Sequence, residues 1–289
     1  MNLLHNKKSC ASLLAFLTLL LTLSGCAPSL FQKASAQAVG RSEQAITSPH
    51  QPYRVTQVCL DGPPFFKADL FHQAATQIAD KVDALVAPNQ DGLLVYVSLI
   101  EHDSLQTSVM TIKVPALPAD PAQPQLKPMP NSSSYNSPYD LAQAVEVVKK
   151  SNTDSLQTWQ AVLKSNHAFL KSARAQVRVL TDKLRGLTAP YDVTGADVFG
   201  CLDLASQHFQ HVQAQKSLVI ASPMINNTTR QKATIDLSGV SVNVIYRNCV
   251  IASACASNDN FWRGVLLSSH ARSVNFYDPA QSQASLPAF

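Results

Sequence analysis

The sequence predicts an α/β protein built on a doubly wound, mainly parallel sheet, and three observations predict it. Short apolar runs alternate with stretches of helical periodicity along most of the chain, the pattern of strands joined by crossover helices. The run from Leu93 to Ile100 is almost continuously apolar, as a strand covered on both faces must be. The first two strands are separated by a helix-length segment rather than a turn, which suits parallel pairing.

Val55, Val58 and Leu60 mark the first strand, which stops at Asp61-Gly62-Pro63-Pro64, because proline removes a ladder donor. Ala75, Ile78, Ala79, Val82 and Leu85 then recur at helical spacing between Phe71 and Val86. Residues 115–138 are rich in proline, serine and asparagine, and an exposed loop is expected there. A long helical insertion follows over residues 139–186. In it Leu156, Trp159, Leu163, Asn166, Leu170, Ala173, Val177, Leu180 and Leu184 recur at steps of three and four, a heptad seam with one polar member. Such a seam packs along its own domain, folds back on residues 140–150, or pairs with a second copy through Leu156 to Leu184. Gly186 and Pro190 end it. The last third alternates again: a helix from Val198 to Val212, strands at Ser217 to Ala221 and Val240 to Tyr246, a short helix from Asn260 to Ser269, and a strand from Ser273 to Tyr277.

The amino end has a different character. Lys7 and Lys8 precede an apolar stretch from Cys10 to Leu23, closed by Ser24, Gly25 and Cys26, which is the layout of a secretory signal. The stretch is shorter than the roughly 20 residues of a membrane span. Leu23-Ser24-Gly25-Cys26 resembles the lipobox of bacterial lipoproteins, with an ordinary signal carrying a chance cysteine as the plainer alternative. The resemblance implies removal of residues 1–25, acylation of Cys26 and a lipid-anchored place on the exported side of a cell membrane or outer membrane. Ala27 stands where some such proteins carry an inner-membrane retention aspartate. Residues 26–50, rich in Ala, Ser and Gln, read as a flexible tether, and residues 51–289 as a single domain.

Loss of residues 1–25 removes two lysines from 23 basic residues and none of the 19 acidic ones, leaving 21 minus 19, or +2. With 15% charged residues and no block of like sign, nothing suggests nucleic acid as a partner. Of six cysteines, Cys10 and Cys26 belong to the signal and anchor, leaving Cys59, Cys201, Cys249 and Cys255. An even set in an exported chain suggests two disulfides. Three pairings are possible; Cys249 with Cys255 closes a short loop and leaves Cys59 with Cys201. No Cys-x-x-Cys occurs, so neither a redox nor a zinc motif is indicated.

The order of elements, with Asp61 closing the first strand, resembles the von Willebrand factor A domain over roughly residues 53–102 and 190–278. That resemblance implies a divalent-cation site made of an Asp-x-Ser-x-Ser strand end, a threonine loop and a further aspartate. Here the serine places hold Pro63 and Phe65, Ala196 stands at the threonine place with Thr194 nearby, and Pro223 falls where the second aspartate would be. One certain ligand, Asp61, does not hold a hard cation. The implied protein is an anchored, non-catalytic binding module with no cofactor and a cell-envelope protein as partner. Two alternatives stay open: an adhesion site rebuilt from Asp61, Thr194 and Asp197, and an envelope hydrolase using Asp61. Lesser features are His208 and His211, at helical spacing, and Trp159 and Phe261-Trp262, which read as core. No Gly-rich phosphate loop and no nucleophile-elbow motif is present.

Overall fold

The computed structural model describes residues 53–63, 66–189, 195–228, 234–247, 251–284 and 286. The signal, Cys26, the tether, Phe65, Thr194 and Cys249 therefore lie outside the described residues.

A six-stranded sheet forms the centre, in the order β3-β2-β1-β4-β5-β6. Its strands are β1 (Tyr53–Asp61), β2 (Gly92–Ile100), β3 (Ser108–Val114), β4 (Gln215–Ala221), β5 (Val240–Ile245) and β6 (Ser273–Phe276). All neighbours pair parallel except β2 and β3. The edge strand β3 is antiparallel because only a 3-10 turn, Ser104–Gln106, separates it from β2, too little chain for a crossover. Sequence reading missed it, since Ser108 to Val114 alternates polar and apolar residues only weakly.

Alternation along β1 divides the core. Val58 and Leu60 face one layer, with α1 (Ala68–Ala84) and the end of α2 (Pro138–Arg185). Val55 and Cys59 face the other, with α3 (Val198–Phe209) and α4 (Ala252–Ser268). A short α5 (Pro279–Ala284) follows β6. In α1 the buried set Leu70, Phe71, Ala74, Ala75, Ile78, Ala79 and Val82 is an i, i+3, i+4 stripe. A disulfide joins Cys59 of β1 to Cys201 of α3. Cys255 is disulfide-bonded as well, and its expected partner, Cys249, lies outside the described residues.

α2 runs for 48 residues, about 72 Å at 1.5 Å per residue. Pro138 stands in its first turn and the Ser137 hydroxyl accepts the Asp140 N–H at 3.1 Å, a proper cap. Its buried residues are Ala173, Val177, Thr181 and Leu184, all near its end. Earlier members of the seam are half-buried on the side that meets the proline-rich segment. There the Trp159 indole donates to the Pro121 carbonyl (2.9 Å), the Asn166 amide to the Ala119 carbonyl (3.1 Å), and Asn152 bonds both N–H and C=O of Lys127. The segment is exposed along most of its length, as expected, and lies extended along α2 as a strap. Prolines at 115, 118, 121 and 124 repeat every three residues, the period of a polyproline helix. The eight steps from residue 119 to residue 127 would span about 25 Å in that form, against about 21 Å for the facing helix residues 152 to 166.

Candidate functional site

In open parallel sheets ligands lie beyond the carboxyl ends of the strands, where successive crossovers leave in opposite directions. Here that point falls between β1 and β4, because β1 leads through α1 to β2 on one side and β4 lies on the other. The crest at this edge consists of Asp61 and Gly62 after β1, residues 101–104 after β2, residues 195–197 before α3, and residues 222–228 after β4.

Asp61 is fully buried. Its Oδ2 accepts the Ser222 hydroxyl at 2.7 Å, and Ser222 Oγ in turn accepts the Met224 N–H at 2.8 Å. Its Oδ1 has no hydrogen-bond partner among the described residues. Burial pushes the Asp61 carboxyl up to about 7, against the opposing pull of the Ser222 and Gly62 hydrogen bonds. Desolvation outweighs both, so the neutral acid is the form the fold favours.

The loops around it are tied to one another. Asp197 caps α3 by accepting the Gly200 N–H at 2.8 Å, and its carboxylate also takes the Ser104 N–H at 3.4 Å. Gly200 is needed for this approach, since a Cβ there would stand 2.2 Å from Asp197 Oδ2. Ser104 Oγ donates to the Asp197 carbonyl at 2.8 Å, and the Asp197 N–H to the Glu101 carbonyl at 2.8 Å. Asn226 Oδ1 accepts the Val198 N–H at 2.9 Å, and Asn227 Oδ1 the Ala196 N–H at 2.6 Å. The N–H groups that a helix start would offer an anion are thus occupied at residues 198 and 200. From the other side, Trp262 Nε1 donates to the Met224 carbonyl at 2.6 Å and Asn258 to the Pro223 carbonyl at 3.3 Å. Met224 and Tyr246, just past β4 and β5, have φ of 61° and 55°, left-handed values that cost a non-glycine residue energy.

Among the described residues this edge offers few donors to a divalent cation of the adhesion type, and Thr194 lies outside them. Pro63 offers no side-chain oxygen, Ala196 none, and the Ser222 hydroxyl and the Asp197 carboxylate are engaged as above. Among the described residues no group of three His, Cys, Asp or Glu side chains could hold a metal. One orphaned carboxylate oxygen on Asp61 is far short of the six or so that a hard cation takes.

The structure separates the two histidines. His208 stacks on Tyr96 with ring centroids 3.9 Å apart and shares a 2.7 Å hydrogen bond from Nδ1 with Gln57 Oε1, while Gln57 Nε2 donates to Ser98 Oγ at 2.8 Å. α3 ends at Phe209, and His211 follows in a turn with φ of 62°, so no helical face presents both imidazoles. Trp262 is core, as read; Phe261 beside it is 57% exposed and Trp159 only half-covered, by the strap. Ser222, Asn226, Asn227 and Ser104 escaped sequence reading as site residues, because small polar residues after a strand are common in any loop. Cavities of about 760 and 510 Å³ lie elsewhere, along the strap and at the amino edge near Lys216 and Ser238.

No protein-family model matches the chain, and no curated protein matches it.

Proposed function

We propose that the chain is a lipid-anchored envelope protein whose domain, similar to von Willebrand factor A domains, binds another protein without a metal and without catalysis. The observation that carries this reading is the mutual bonding of the crest loops among the described residues. Loops that hold a cation or a reacting group in sheets of this topology are here bonded to one another, with Asp61 buried as their neutral centre. A strand order with an antiparallel second-edge partner to β2 suits that fold class, though fold alone does not give function. Cys26 would carry the lipid and fix the protein to a membrane on its exported side.

The contact surface we assign lies beside the crest, where Ile225, Ile251 and Phe261 are exposed. Phe261 stacks edge-on against Trp262, which in turn holds the loop of Met224, so the patch stands on a rigid base. Exposed aromatics on such a base are the usual anchors of protein interfaces. Crosslinking of the lipidated protein in its own membranes tests this. Wild type should give one defined adduct, reduced at least tenfold by Phe261→Ser together with Ile225→Ser, with the melting temperature unchanged. An adduct of equal yield from the variant would remove the surface, and no adduct from wild type would remove the binding reading.

A second reading has one observation in its favour. A buried carboxyl pushed up to about 7 is poised for proton transfer at neutral pH, as an envelope hydrolase using Asp61 would require. Hydrolytic activity in wild type that Asp61→Asn abolishes would establish it, and activity surviving that change would dismiss it.

A further inference from the structure

We propose that β3 is a docking edge for a second copy of this chain, the two β3 strands pairing antiparallel about a two-fold axis at Thr111. The proposal depends neither on a lipid anchor nor on the surface beside the crest. An edge strand leaves every second backbone N–H and C=O without a ladder partner, and proteins guard such edges. At one edge of this sheet the guard is length, since β6 has only four residues. At the other, β3 runs for seven residues, Ser108–Val114, with no proline among them. Val109, Thr111, Ile112 and Val114 are β-branched, the types that suit a strand. Beyond the pairing with β2, none of the seven makes a hydrogen bond to another described residue. What guards there are stand at the ends, a bulge in β2 between Val97 and Ser98 and the charge of Lys113. Val109 to Ile112, between them, has none.

The occupant follows from how the strand fits its own reverse. Thr111 is the middle residue of the seven, so an axis there pairs the strand over its whole length. Thr111 then faces Thr111 of the second copy, Met110 faces Ile112, Val109 faces Lys113 and Ser108 faces Val114. Met110, Ile112 and Val114 pack in the same core layer as Ala173 and Val177 of α2. Opposed residues of a ladder share a face, so Met110 against Ile112 continues that apolar layer from one copy into the next. On the other face, threonine against threonine is a favourable pair, and each Lys113 stands about 13 Å along the strands from its counterpart. Other registers lose something. An axis at Lys113 sets lysine against lysine, and an axis at Ile112 brings Pro115, which has no N–H, into the ladder. Moving the axis toward Ser108 shortens the pairing.

Two-fold pairing also uses up both edges, so the assembly closes at two copies instead of growing into a fibre. The strand is about 23 Å long, and the sheet with the α2 layer above it is about 20 Å high. Such a face is about 460 Å² per copy, or about 900 Å² in all, the size of a reversible dimer and not of a permanent one.

Cysteine crosslinking of the full chain with a mild oxidant, at tens of micromolar, reads the register directly. Opposed Cα atoms of an antiparallel ladder lie about 4.5–5.5 Å apart, within the range of about 4.4–6.8 Å that a disulfide spans. Thr111→Cys should therefore link at least half of the chains into dimers, above any background that wild type gives through its own cysteines. Val109→Cys and Lys113→Cys should each stay unlinked alone and link when the two proteins are mixed. Thr111→Lys, which sets two ammonium groups against each other at the axis, should reduce the dimer seen by sedimentation at least tenfold with the melting temperature unchanged. If Thr111→Cys melts as wild type does and stays unlinked, β3 is no self-docking edge. Should Thr111→Cys melt low, failure of the mixed pair to link overturns the proposal in the same way. Equal linking by Val109→Cys and Lys113→Cys alone would mean random collision, which overturns it too.

Discussion

Asp61 is fully buried and His208 half-buried, and burial drives their titration in opposite directions. For Asp61, whose usual value is 3.8 and whose carboxyl the fold pushes up to about 7, the folded state holds its proton more tightly than the unfolded chain. Its contribution to stability is fully present below about pH 3.8 and is lost as pH rises through about 7. A rise of that size corresponds to about 4 kcal/mol at 1.36 kcal/mol per pH unit. Asp61→Asn, which keeps the shape and removes the charge, should therefore be more stable than wild type at pH 8 by up to about 4 kcal/mol, and close to it at pH 4. Urea unfolding at both pH values measures this. A variant less stable at pH 8 would mean that the ionised carboxylate is stabilised by something other than Ser222 and Gly62. His208 is pushed below its usual 6.5 by burial, so its contribution is present above that pH and declines below it. The sequence showed Asp61 at a strand end, but its burial depends on Ser222, 161 residues away, and no local pattern reports such a partner.

At the scale of elements, α2 is two structures in one helix. Its last turns are core: Leu184 is fully buried, and Leu184→Ala should cost about 2–5 kcal/mol. Trp159, held by the strap, is half-covered, and Trp159→Ala should cost only about 1 kcal/mol or less in the same denaturant titration. Asn152→Ala should instead free the Lys127 amide, now bonded to Asn152 Oδ1 at 2.9 Å, and hydrogen exchange at that amide should accelerate at least tenfold. Equal costs at positions 159 and 184 would show that the whole helix is one cooperative core element. The seam itself was legible from Leu156 to Leu184, because heptad spacing requires something apolar opposite it. What lies opposite was not legible. Proline every third residue fits an exposed linker and a helix-bound strap equally, and only the Trp159 and Asn166 bonds decide. α4 begins at Ala252 rather than near Asn260, since its first turns are rich in Ala, Ser and Asn and carry no apolar stripe.

For the whole molecule, the Cys59–Cys201 disulfide closes a loop with a sequence separation of 142 and links the first strand to the far layer. Chain-entropy reasoning gives about 2–5 kcal/mol for such a link, and Cys59→Ser with Cys201→Ser should lower the melting temperature by about 5–15 °C. The α/β class and the parallel strands were readable because buried strands and amphipathic helices have distinct periods. The antiparallel edge β3 was not, because an edge strand buries only part of one face and its pattern fades.

The central claim is that the crest is closed and holds no cation. It is tested most directly by melting the full chain in detergent with saturating magnesium, calcium or manganese, each against a chelator. The account predicts no change beyond about 1 °C. A cation at a hundred times its dissociation constant adds about 2.7 kcal/mol, or about 5–10 °C for a domain of this size. A rise of that extent, lost in Asp61→Asn, would contradict the account and establish a working metal site at the crest.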